Sequence, residues 1–135
     1  MIPDNNDGRN AENNGKSSVI TVTDANFDKF ISRKAILAVG APKRCRWCKD
    51  YEPVLQEVAQ EFDGNVGEID LDTPRLNQRF KMRYNTELEE GVPQTYFFLN
   101  GERVGLFIGY RAKDEVLQAA YDSFSTTGRK ILNYS

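Results

Sequence analysis

The run AILAVGA, Ala35 to Ala41, is nearly all apolar and sits between two segments whose apolar residues recur at helical spacing. It is too short to cross a bilayer and lacks polar alternation, so it reads as a central strand buried on both faces. Such a strand needs helices on either side of its sheet, and that requirement makes the chain α/β. Before it, VITV (Val19 to Val22) predicts a short strand. TDANFDKFISR then predicts a helix capped by Thr23 or Asp24, with Phe27, Phe30 and Ile31 on one face. After it, Tyr51, Val54, Leu55, Val58, Ala59 and Phe62 share one helical face up to Asp63, with Gly64 as the stop.

The alternation continues along the chain. NVGEIDLD sets Ile69 and Leu71 against Glu68 and Asp70, a third strand whose acidic side reads as solvent-facing, and TPRLNQRFKMRY predicts a weaker helix opening near Pro74. TYFFL and RVGLFIGY flank Asn100 and Gly101, a pair suited to a tight hairpin because both positions tolerate positive φ. Val116, Leu117, Ala120, Tyr121 and Phe124 mark a last helix. The predicted order is βαβαβαββα, in one domain over residues 19–125. Residues 1–18 offer only Ile2 and Ala11 to bury and read as a disordered leader. Residues 126–135 read as a C-terminal tail whose Ile131, Leu132 and Tyr134 are available to dock on the body.

A hydrophobic share of 39% and a formal net charge of -2 describe a globular chain without a strong field, which argues against nucleic-acid binding by bulk charge. No apolar run approaches the roughly 20 residues of a membrane span, and the N-terminus lacks the basic and apolar regions of a signal peptide. The expected protein is a cytoplasmic monomer with no membrane or nucleic-acid partner.

The chain has two cysteines, Cys45 and Cys48, and no histidine. A structural zinc site takes about four Cys or His ligands, so no metal site is expected within one chain. In a reducing cytosol a close pair is redox-active or catalytic more often than structural. Cys45 falls between a strand end and a helix start, where unpaired N–H groups and the helix dipole stabilise a thiolate. Cys48, one turn further in, should be more covered, and the spacing brings the two sulfurs within disulfide reach. Cys45 then attacks a partner disulfide and Cys48 resolves the mixed intermediate, with no cofactor.

CRWCKDYEPVLQEVA resembles the active-site helix of thioredoxins, down to Lys49 after the second cysteine and Pro53 five residues beyond it. The element order matches the thioredoxin fold, and GVPQTYFFLNGERVG resembles that family's cis-proline segment and hairpin, so the resemblance covers about Val19 to Ser125. It implies a five-stranded mixed sheet flanked by helices. It also implies a thiol-disulfide oxidoreductase acting on protein disulfides and served by a reductase or another electron donor. Val92, Pro93 and Gln94 would form the substrate-binding segment, with Pro93 cis beside Cys45 and the Val92 backbone pairing with an extended substrate. Pro53 would kink its helix.

Three departures from the family pattern follow. Thioredoxins usually carry Gly-Pro between the cysteines and Trp before the first; here Arg46 and Trp47 lie between, and Arg44 precedes. Lys43, Arg44, Arg46 and Lys49 surround Cys45, and if they act on its thiolate the disulfide becomes more oxidising than an ordinary thioredoxin's. If they point into water they shift it little. Trp47 is the candidate partner contact. Second, the family's buried aspartate would fall at or next to Ala38, and that strand holds no acid. Water, Lys49 or a residue from elsewhere must serve, Asp70 reading as exposed and Asp72 as a helix cap. Third, YNTELEEGVP is long and carries Glu87, Glu89 and Glu90, an acidic loop that could cover the motif, pair with Arg44 or Arg46, or simply face solvent. Three alternatives stand beside the oxidoreductase: a glutathione-linked, glutaredoxin-like enzyme, a thioredoxin-fold binding module with little turnover, and a metal or iron-sulfur site shared by two copies of the chain.

Overall fold

The computed structural model describes residues 18–73 and 75–134, with side chains as far as residue 125. The leader up to residue 17, Pro74 and the side chains of Ile131, Leu132 and Tyr134 lie outside this description. In chain order the elements are β1 (Ile20–Thr21), α1 (Phe27–Ile31), β2 (Ala35–Gly40), α2 (Arg46–Glu61), β3 (Asn65–Asp70), α3 (Gln78–Arg83), α4 (Asn85–Leu88), β4 (Gln94–Leu99), β5 (Glu102–Ile108) and α5 (Lys113–Tyr134). The strands form one mixed sheet in the order β1-β3-β2-β4-β5. β3 runs parallel to β1 and β2, whereas β4 is antiparallel to β2 and β5.

β2 is central and every residue in it is buried. Because side chains alternate across a strand, it divides the core in two. Ile36 and Ala38 join Val66 and Phe97 under α2 and α5, against Tyr51, Leu55, Val58, Val116 and Ala120. Leu37 and Val39 join Ile69, Tyr96 and Phe98 on the other side, against Phe27, Phe30 and Phe80 of α1 and α3. The hairpin turns at Asn100 and Gly101 with φ of 53° and 88°, the conformation their sequence predicts.

Several elements depart from the sequence reading. α1 starts after Asn26, not at Thr23 or Asp24, and the Asp24 carboxylate accepts from the N–H groups of Gln78 and Arg79, at 3.1 Å each. An acid that reads as a local cap thus satisfies the first turn of α3, far away in sequence. α2 ends at Glu61, and Gly64 is not in the left-handed region. A Cβ there would meet the Phe62 ring at 2.6 Å and the Lys34 carbonyl at 2.7 Å, so close approach is what calls for the glycine. The acidic loop contains a short helix, α4, additional to the predicted order. α5 runs unbroken to Tyr134, so the backbone read as a tail after Ser125 is helical. Among the described residues, no helix is long and apolar enough to cross a membrane.

Candidate active site

β2 delivers the chain to the sheet's edge at Gly40, and Arg44 N–H closes a turn onto the Ala41 carbonyl at 3.0 Å. Cys45 follows as the N-cap of α2, in extended conformation, with its sulfur accepting from the Cys48 N–H at 3.1 Å. An oxygen or sulfur acceptor here satisfies one of the helix's free donors, which is why a polarisable, anion-forming atom suits the position. Cys45 and Cys48 are joined by a disulfide, their Cα atoms 5.3 Å apart. Cys45 is half-exposed, whereas Cys48 is 6% exposed. Gly40 lets the strand end approach, since a Cβ on it would stand 3.0 Å from the Cys48 sulfur.

The Val92–Pro93 peptide bond is cis. It is held against the sheet by Gly109 N–H, which donates to the Pro93 carbonyl at 2.8 Å. The Val92 carbonyl oxygen lies 3.9 Å from Cys45 Sγ. Trp47 is 61% exposed, its ring 5.6 Å from that of Tyr110, which in turn lies 5.7 Å from Tyr51. Trp47, Val92, Pro93, Gly109 and Tyr110 line one groove beside the disulfide. Tyr51 is anchored below by a 2.8 Å hydrogen bond with Thr95 Oγ1, and burial pushes its phenol up to about 12.

The remaining expected residues are placed differently. Gln94 is fully buried, its amide donating to the Glu87 carbonyl at 2.5 Å and accepting from Tyr96 Oη at 2.6 Å. Its side chain therefore ties α4 to the sheet and is not available to a substrate, a correction to the reading that grouped it with Val92 and Pro93. Lys43, Arg44, Arg46 and Lys49 are all exposed. Arg44 Nε donates to the Asp72 carboxylate at 2.9 and 3.1 Å, and Arg46 stands 3.6 Å from Asp50. Asp72 is thus an ion-pair partner, not a helix cap. Among the described residues no ion pair joins the acidic loop to these cations, and Glu87 pairs with Arg103 of β5 at 2.9 Å.

Beside Cys48 lies a cavity of about 270 Å³ whose walls include Ala38, Gly40, Cys48, Glu52, Glu68 and Asp70. Glu68 is half-buried, although its strand pattern suggests a fully solvent-facing position, because α2 covers part of that face of β3. Burial, reinforced by repulsion from Glu52 and Asp70, holds its carboxyl above the usual carboxylate range. Its signal in the sequence was the topology: a parallel strand in a βαβ unit is covered on both faces, whatever its alternation suggests. Among the described residues, no cluster of three or more His, Cys, Asp or Glu is arranged to hold a metal.

The family model for thioredoxin matches residues 18–122. The chain belongs to the thioredoxin family. It is 32% identical over 112 residues to a thioredoxin of Mycobacterium bovis, covering 79% of this chain and 90% of that one. To a thioredoxin of Staphylococcus saprophyticus it is 29% identical over 104 residues, 75% and 93% of the two chains. Among solved structures, a mutant thioredoxin from Halobacterium salinarum superposes with a TM-score of 0.65 at 25% identity, covering 76% of this chain and 88% of that chain. The thioredoxin from Aeropyrum pernix gives 0.64 at 24% identity, over 75% and 83%, a likeness of fold. With the family established and the paired cysteines at the head of α2, the protein is a thiol-disulfide oxidoreductase. Protein disulfides and an electron-donating reductase are its general classes of partner.

Proposed function

We propose that Cys45 is the attacking sulfur, that Cys48 resolves, and that partners lie extended along Val92 and Pro93 with their side chains over Trp47 and Tyr110. The observation that carries this reading is the position of Cys45: half-exposed at the helix start, 3.9 Å from the Val92 carbonyl, at the rim of the aromatic groove. The Val92 N–H has no hydrogen-bond partner among the described residues, which leaves it free to pair with a substrate strand. In the reducing direction the Cys45 thiolate attacks one sulfur of the partner disulfide, forming a mixed disulfide and releasing the other sulfur as a thiolate. The Cys48 thiolate then attacks Cys45 Sγ. The mixed bond breaks, the second partner sulfur leaves with the electron pair, and Cys45–Cys48 closes.

Cys45→Ser should abolish reduction of a protein disulfide, and Cys48→Ser should accumulate a mixed disulfide detectable by mass. A fully active Cys45→Ser variant would overturn the reading. We also place the reduction potential above the roughly -270 mV of ordinary thioredoxin. The support is the helix N-terminus at Cys45 together with Lys43 and Lys49, which stand close to it in sequence and have no ion pair among the described residues; both are exposed, so solvent screening limits their share. Arg44 and Arg46 contribute less, because Asp72 and Asp50 share their charge. Equilibration with a glutathione buffer measures the potential, and a value at or below -270 mV would refute this part. We assign the work to a cytoplasmic monomer re-reduced by an external donor. The redox pair accounts for every cysteine in the chain, which fits that compartment better than a disulfide-stapled secreted domain.

A further inference from the structure

Resolution by Cys48 requires its thiol to lose a proton, and at 6% exposure the thiol has little direct contact with bulk water. β2 offers no acceptor, being apolar throughout. The neighbouring strand does. In the parallel β2–β3 pair Ala38 is in register with Glu68. Val66, two residues earlier on β3 and so on the same face as Glu68, packs with Ala38 beneath α2. Glu68 therefore extends under α2, and it lines the cavity together with Cys48.

We propose that Glu68 accepts the proton of Cys48 across the water of this cavity as the mixed disulfide is resolved, and returns it when the pair is next reduced. The inference rests on the mixed-disulfide reading above. Room for several waters exists in about 270 Å³. No hydrogen bond or ion pair engages the Glu68 carboxylate among the described residues, so it is free to take a proton. The other groups facing it are accounted for element by element. From α2 come Glu52, which also lines the surface beside Trp47, and Tyr51, whose phenol is committed to Thr95. From β3 comes Asp70, one of whose oxygens already accepts from the Asp72 N–H at 2.9 Å. β1 contributes Thr21 and β2 no titratable group, and among the described residues no Lys or Arg lines the cavity. The raised proton affinity of Glu68, caused by burial and these like charges, suits an acceptor that must later give the proton back.

The step balances within the known reaction. The Cys48 S–H bond breaks and its proton passes through water to a Glu68 oxygen. The thiolate forms a bond to Cys45 Sγ, the Cys45–partner bond breaks, and the electron pair leaves on the partner sulfur, which takes a proton from solvent. Glu68 acts through water, so it positions a proton and does not touch the reacting sulfurs.

The test is stopped-flow mixing of the reduced full chain with excess protein disulfide, followed by the release of partner thiols from pH 5 to 9. The first thiol appears with Cys45 attack and the second with Cys48 resolution. Glu68→Gln should leave the first phase unchanged, slow the second by about tenfold or more at neutral pH, and remove one inflection from its pH profile. Glu68→Asp, which keeps a carboxyl, should retain that inflection. A second phase that keeps its wild-type rate and pH profile in Glu68→Gln overturns the proposal, as does equal slowing by Glu52→Gln. Absence of the first phase in the unmodified protein would instead refute the mixed-disulfide reading itself.

Discussion

Cys48 and Tyr51 are neighbours on the inner face of α2, and each illustrates how a single side chain is set by what lies beneath it. Tyr51 is 1% exposed and its hydroxyl has one polar partner, Thr95, itself fully buried. Tyr51→Phe leaves that threonine hydroxyl unpaired in the core, so denaturant unfolding should show a loss of about 1–3 kcal/mol. At this scale the sequence was informative wherever local chemistry decided the role. Cys45 and Cys48 are legible as a redox pair from spacing and position, and the cis bond at Pro93 from its resemblance to a known segment. Gln94 and Glu68 are not. Gln94 follows Pro93 and looks like part of the same contact, yet strand alternation turns it onto Tyr96 and Glu87. Glu68 reads as the wet side of an alternating strand, and only the tertiary cover of α2 makes it a half-buried group.

Elements show the same division between local and distant causes. The apolar run of β2, the Asn100–Gly101 hairpin and the stripe of α2 follow from period and turn chemistry, and the structure has them within a residue or two. The start of α3 does not, since its donors are satisfied by Asp24 from before α1. α4 was missed because four residues rich in polar side chains carry no apolar period. β3 also meets α1 closely: a Cβ on Gly67 would stand 2.7 Å from the Phe30 ring and from Val22 Cγ2, both fully packed. Gly67→Ala should therefore cost about 1–3 kcal/mol despite its better strand propensity, as measured by chemical denaturation. A neutral or stabilising result would mean that α1 can move off the sheet.

Across the whole molecule, the acidic cavity ties stability to pH. Glu68 has a folded-state pKa above its unfolded value of about 4.3, so the native state binds the proton more tightly than the unfolded chain does. Its contribution is therefore most favourable below that unfolded value and is lost as pH rises through the raised folded value. Glu68→Gln has no such loss. Thermal melts should give nearly equal midpoints for the two proteins at pH 4 and a midpoint for the variant that is higher at pH 8; a gap that shrinks with rising pH would contradict the assignment. The variant that is slower at resolving disulfides should thus be the more stable one at neutral pH, the trade expected where a working group is kept in an unfavourable place.

The groove and the cavity share one residue, Pro93, and otherwise have separate walls. One opens beside Cys45 between Trp47 and Val92. The other is lined by Cys48 and Glu68 and includes Thr21, which is exposed. A partner seated along Val92 and Trp47 would therefore cover only one residue of the cavity's wall, Pro93. If Glu68 takes the proton as proposed, electrons and protons would leave Cys48 by different walls, and a tightly held partner would not cut the chemistry off from water.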